Sequence, residues 1–124
     1  MFGKQAFSEG LKQLGYCPED LGDSRLAFPY TIATGRFKDQ AVKIGIEVPA
    51  DFNVTCPTGP HLSPRLIPIN PNGTGNDRAV DSPNFGSAWQ YLSRPFVDQN
   101  EGWGRTTKDV KAYLRHIKRI LETL

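Results

Sequence analysis

Cysteine is scarce in this chain. Cys17 and Cys56 are the only two in 124 residues. Two cannot make a disulfide framework, and neither sits in a CxxC or Cys/His spacing that would suggest zinc. Excess charge of one sign is also missing. The net charge is +2, which does not by itself argue for nucleic acid as a partner. No apolar run approaches the roughly 20 residues that span a bilayer, so no membrane partner is expected. The opening Met1-Phe2-Gly3-Lys4-Gln5 has no apolar stretch of the secretory kind. A cytoplasmic location is therefore expected, and it suits two reduced thiols. There is no internal repeat, no low-complexity tract and no cofactor fingerprint, so no cofactor is expected.

What is present describes a folded domain. Hydrophobic residues make up 38% and charged residues 23%, a balance that fits neither a disordered chain nor a membrane protein. The length favours one domain, spanning residues 1–124, with a core that needs no staples. The 12 glycines and 10 prolines fall mostly mid-chain, where loops are expected.

Periodicity supplies the elements. Phe7, Leu11 and Leu14 share one face of a predicted helix over 2–14, with Gly15 placed to cap it and Pro18 barring continuation. Residues 19–25 read as a loop. A strand is predicted over 26–32, weakened by Pro29, then a turn at Thr34-Gly35 and the best strand, over 40–48. In that strand Val42, Ile44, Ile46 and Val48 share a face opposite Lys43 and Glu47. A tight antiparallel pair of these two strands is the natural arrangement. Residues 52–64, with four prolines and glycines in a short span, read as a loop. A short edge strand is expected over 66–69, and 70–84 reads as turns. Trp89, Tyr91 and Phe96 then return apolar mass to the core. The last helix is the strongest signal. Thr106 is placed to cap it, with Asp109 in its first turn. Val110, Tyr113, Leu114, Ile117, Ile120, Leu121 and Leu124 form its apolar face, and Lys108, Lys111, Arg115, Lys118 and Arg119 its opposite face. The expected class is α+β: an N-terminal helix, an antiparallel meander sheet, an irregular segment and a C-terminal helix.

Several segments, taken in order, resemble the ubiquitin-conjugating (UBC) superfamily. Residues 46–52, Ile-Glu-Val-Pro-Ala-Asp-Phe, resemble that family's strand ending in Pro, a variable residue, an acid and an aromatic. Pro57-Thr58-Gly59-Pro60 stands where the family has its proline-rich turn, and Asn70-Pro71-Asn72 resembles its His-Pro-Asn. Trp103 followed by Thr106-Thr107-Lys108-Asp109-Val110 resembles its Trp segment leading into a helix. Residues 89–96, Trp-Gln-Tyr-Leu-Ser-Arg-Pro-Phe, are similar to a motif of divergent bacterial members. Those are found beside ubiquitin-like proteins, activating-enzyme relatives and metallopeptidases. The resemblance covers roughly residues 26 to 124 and implies a UBC-like fold. It also implies a departure. About eight residues past the Asn-bearing turn the family places its nucleophilic cysteine, and here the stretch Asp77-Arg78-Ala79-Val80-Asp81-Ser82 has none.

The candidate chemistry follows from that gap. A conjugating enzyme needs a nucleophile and a donor that steadies the oxyanion. The resemblance carries Asn72 into the donor role, although Asn-Pro-Asn-Gly is turn chemistry in its own right. Cys56 is a relocated nucleophile if His61, five residues on, activates it; its ordinary role is a small buried thiol beside a surface histidine. Ser93 could carry the acyl group as an oxyester if His61 reached it; its ordinary role is in a turn, with Arg94 paired to an acid such as Asp98. Phe52, Pro57, Pro60, Trp89 and Arg94 are the candidate partner-binding residues, with Trp89 and Trp103 also reading as core or loop anchors. The cationic face of the last helix suits an acidic partner or a phosphate backbone, though the interleaved aromatics of single-strand binders are missing from it.

The expected function is a UBC-fold component of a bacterial ubiquitin-like conjugation system, tied to antiphage defence. It would bind a ubiquitin-like protein or an activating-enzyme relative without forming a thioester. Two alternatives stand beside it: an active conjugating enzyme using Ser93 or Cys56, and an unrelated small α+β interaction domain.

Overall fold

Alternating apolar residues build the centre of the sheet. The structure, a computed structural model, describes residues 2–66, 79–82, 84–92 and 102–122. In it β2 (Arg25–Thr31) and β3 (Ala41–Glu47) pair antiparallel without a break, from Arg25 opposite Glu47 to Thr31 opposite Ala41. Leu26, Phe28, Val42, Ile44 and Ile46 are buried on one face of this ladder. Pro29 fits inside β2 despite its missing N–H, and its side chain lies on the exposed face.

The sheet is larger than periodicity suggests. β1 (Glu19–Gly22) forms a hairpin with β2 in the stretch expected to be loop. Asp23 takes left-handed backbone (φ 47°) in the two-residue turn between the paired Gly22 and Arg25, and Gly22 (φ 91°) sits where the register of β1 shifts. β4 (His61–Ser63) pairs with β3 at the end of the expected Pro-rich loop. β5 (Ala79–Asp81) and β6 (Gln90–Leu92) lie where turns and returning aromatics were expected. The described strands give the order β1-β2-β3-β4-β6-β5, all neighbours antiparallel. Leu66 lies outside any strand; the rest of the edge strand expected over 66–69 falls outside the described residues, as do Phe96 and Leu124.

Two helices cover the apolar face. α1 (Gly3–Gln13) ends in a Schellman turn. Gly15 sits at φ 91°, its N–H donates to the Lys12 carbonyl, and the Tyr16 N–H donates to the Leu11 carbonyl. α2 (Val110–Glu122) begins later than expected. Its cap is Asp109, whose Oδ1 accepts the Ala112 N–H at 2.9 Å. Thr106 instead belongs to the preceding turn, donating to the Trp103 carbonyl at 2.7 Å and accepting the Lys108 N–H at 3.0 Å. α1 and α2 meet at Gly10, where a Cβ would fall 2.4 Å from a Val110 methyl.

The core expected from periodicity forms. Phe7, Leu11, Leu26, Val42, Ile44, Ile46, Tyr113 and Ile117 lie in one buried cluster, with Leu114 half-buried against it. Phe52 and Trp103 complete it: Phe52 packs against Phe7 and Trp103 at ring-centroid distances of 5.1 and 6.0 Å. The architecture is therefore α+β, with a meander from β1 to β4 and both described helices on one side.

Ile46 and Ile117 are fully buried on opposite sides of this core. Replacing either by Ala is expected to cost about 2–5 kcal/mol of unfolding free energy, measured by urea denaturation. A loss near zero for both would contradict the packing described here.

Candidate functional site

The other face of the sheet carries the polar chemistry. Side chains one step out of phase with the core project there: Arg25 and Ala27 from β2, Lys43, Gly45 and Glu47 from β3, His61 from β4 and Tyr91 from β6. Ser82 and residues 84–89 fold over it. Phe85 and Gly86 both donate backbone N–H groups to the Ser82 carbonyl, at 3.0 and 2.9 Å. Phe85 then lies over Gly45, where a Cβ would meet the ring at 2.5 Å. Any other residue at Gly45 would push this cap off the sheet.

His61 is the centre of the cap. It stacks on Phe85 at 4.1 Å and leans on Tyr91 at 4.8 Å. Its Nδ1 shares a 2.5 Å hydrogen bond with the Ser82 hydroxyl. Both residues are buried. Burial lowers the His61 pKa to about 4, against a smaller opposing pull from Glu47. The imidazole is therefore neutral at pH 7. With its proton on Nε2, it accepts from Ser82.

Polar ties hold the segment down. Asn84 donates to Glu47 at 3.0 Å, its carbonyl accepts from Arg25, and Arg65 Nε donates to the Trp89 carbonyl at 2.8 Å. Gln90, fully buried, accepts the Leu66 N–H at 2.8 Å. Beside the cap opens a pocket of about 400 Å³, bordered by Glu19, Arg25, Lys43, Asn84, Phe85 and Trp89. Lys43 and Glu19 pair across it at 3.2 Å, half exposed, so the bond adds little stability.

The structure sorts the sequence candidates. His61 is not a surface histidine, and its described partner is Ser82. Cys56 lies instead in the core cluster with Tyr113, and burial pushes its thiol up to about 12. Phe52, Pro57 and Pro60, expected on a surface open to a partner, are all buried. Phe52 is needed between Phe7 and Trp103, and Pro57 and Pro60 lie in the segment leading into β4. Trp89 is half-buried at the outer pocket. Asn72, Ser93 and Arg94 lie outside the described residues. Ser82 was missed as a partner for His61. Nothing local in Asp81-Ser82-Pro83 marks it as buried.

The His61–Ser82 pair makes a pH prediction. Below about 6.5 the unfolded chain protonates His61, while the folded protein resists until about 4. Protonation thus favours unfolding, and stability should fall as pH drops through that window, by at most about 3 kcal/mol from this group. Urea denaturation at stepped pH, for wild type and His61→Gln, measures it. An unchanged slope in the variant would contradict a buried neutral imidazole.

No protein-family model, curated protein or solved structure matches the chain.

Proposed function

We propose that this chain is a protein-binding component of a bacterial ubiquitin-like conjugation system, UBC-like in layout and carrying no thioester. The observation that carries the reading is the state of Cys56. A thiol carrier must be accessible and must ionise, since the thiolate is the nucleophile. Cys56 is 4% exposed, and its pKa stands near 12. Cys17 is exposed, but it lies just past the C-terminal end of α1, where the helix dipole disfavours a thiolate. An N-terminal helix, an antiparallel meander and a C-terminal helix, in that order, support the UBC-like part of the proposal. No described helix is long and apolar enough to cross a membrane. The expected partners are a ubiquitin-like protein or an activating-enzyme relative in the cytoplasm, in the setting of antiphage defence. Among the described partner-binding candidates, Trp89 keeps exposed surface, at the rim of the outer pocket.

One observation favours a second reading, an enzyme with a serine acceptor. His61 Nδ1 is within 2.5 Å of the Ser82 hydroxyl, the contact of a nucleophile with its base. In that step the Ser82 oxygen attacks the acyl carbonyl, its proton passes to Nδ1, and the activating enzyme's thiol leaves. Ser82 is 2% exposed, so Phe85 would have to lift for an acyl group to reach it.

Incubation with a bacterial ubiquitin-like protein, its activating-enzyme relative and ATP separates these readings. The expected result is non-covalent binding by calorimetry, weakened about tenfold or more by Trp89→Ala, and no adduct on gels. A band removed by reductant and by Cys56→Ala would overturn the proposal. A reductant-resistant, hydroxylamine-sensitive band lost in Ser82→Ala would establish the serine enzyme instead.

A further inference from the structure

A second surface lies on the helix side of the sheet, across the domain from the His61 cap. It is built by three elements. The Schellman turn that ends α1 swings Tyr16 back toward β2. There the Tyr16 ring lies near-parallel to Tyr30, 16° apart in plane with centroids at 6.2 Å, and edge-on to Phe28 at 5.4 Å. α2 runs alongside, and its basic face forms the far wall. The result is a groove of about 250 Å³ bordered by Leu14, Tyr16, Tyr30, Lys111, Leu114, Arg115 and Lys118.

The chemistry of this groove is specific in two respects. Its rim is cationic. Lys111, Arg115 and Lys118 follow one another at spacings of four and three, so their Cα atoms cover about 10 Å of helix. Among the described residues no carboxylate lines the groove, although Glu122 lies near enough to act on Tyr30. Among the described residues, the acid paired with this rim is Glu122, 4.0 Å from Lys118 at the far end. Its floor, by contrast, is apolar. Leu14 is 42% exposed and Leu114 half-buried, next to two tyrosine rings. A merely solvated helix face needs no such floor.

We propose that this groove docks an acidic peptide segment of a partner protein, with carboxylates along the Lys111–Arg115–Lys118 rim and one apolar side chain between Leu14, Leu114 and Tyr30. Charge complementarity selects an anionic occupant. The floor selects a peptide over a single-stranded nucleic acid. Base stacking needs open aromatic faces. Tyr16 and Tyr30 turn faces toward each other, and Tyr16 also packs on Phe28. An aliphatic floor takes a Leu or Phe side chain instead. The cationic helix face was readable in the sequence; the aromatics beside it come from elements far away in the chain, which is why the face looked bare of them. This surface does not depend on the conjugation reading and would serve any acidic partner.

The test uses the whole protein and a fluorescein-labelled peptide of Asp and Glu residues around a central Leu, followed by anisotropy. Three controls accompany it: the same peptide with Ser for Leu, the same peptide with Lys for the acids, and an oligo-dT strand. Binding of the acidic Leu peptide is expected. It should weaken about tenfold or more in Lys111→Glu/Arg115→Glu, and also as salt rises from about 50 to about 200 mM. It should weaken severalfold with the Ser peptide and with Leu114→Ser. Lys111 and Arg115 are exposed, so the charge-reversed variant is expected to fold, which circular dichroism checks. Three results would overturn the proposal: oligo-dT binding as tightly as the Leu peptide, equal binding of Leu and Ser peptides, or no peptide binding at millimolar protein.

Discussion

The in-register pairing of β2 with β3 is the constraint on which everything else rests. Because side chains alternate across a strand, this single ladder decides which residues meet the helices and which meet the cap. Leu26, Phe28, Ile44 and Ile46 face α1 and α2; Ala27 and Gly45 face Phe85. A slip by one residue would drive Lys43 and Glu47 into the core and expose Ile44 and Ile46. Burial of four large apolar side chains on one face, each worth about 1.5–3 kcal/mol, makes that alternative far less stable. The small residues matter as much as the large ones. Ala27 and Gly45 sit opposite each other on the outer face and leave room for the aromatic cap.

The two faces divide the electrostatics of the molecule. Groups enclosed by the fold are held neutral: burial raises the thiol of Cys56 and the hydroxyl of Tyr113, and lowers His61. Two of them are also placed where neutrality is useful. The Tyr113 hydroxyl donates to the Thr58 carbonyl, and neutral His61 accepts from the Ser82 hydroxyl. Both bonds pin the segment between residues 56 and 61, which has few ladder bonds of its own. The charges are kept outside, on the Arg25–Lys43–Glu19 rim of one pocket and the cationic face of α2. Among the described residues, charged contact chemistry is thus confined to surfaces.

How much of this was legible follows from the range of the signal. α1, β2, β3 and α2 carry their own periodicity, and the core they share was readable from it. β1 was not, because Glu19, Asp20 and Gly22 are poor strand formers; pairing with β2 overrides their propensity. β4 was hidden by the prolines around it, although only residues 61–63 needed to join the ladder. Helix capping misled for a similar reason. Thr106 and Asp109 are both good caps, and the choice between them depends on the Trp103 turn, whose anchor is a bond from the indole to the Asn53 carbonyl at 2.9 Å.

The site was legible in its parts and not in its pairing. His61 was singled out, yet its partner comes from 21 residues away and its stacking ring from a run of turn residues. Local sequence marks a histidine as titratable; it does not mark it as covered. Phe52 shows the converse. An aromatic after Pro49-Ala50-Asp51 looks like an exposed contact, and it becomes core only because Phe7 and Trp103, from opposite ends of the chain, close around it. The same long-range assembly places Tyr16 and Tyr30 beside the cations of α2. In each case the residue type was readable and the neighbour was not, since a neighbour is a property of topology. A surface assembled from α1, β2 and α2 exists only once the β2–β3 ladder has fixed which face those helices cover.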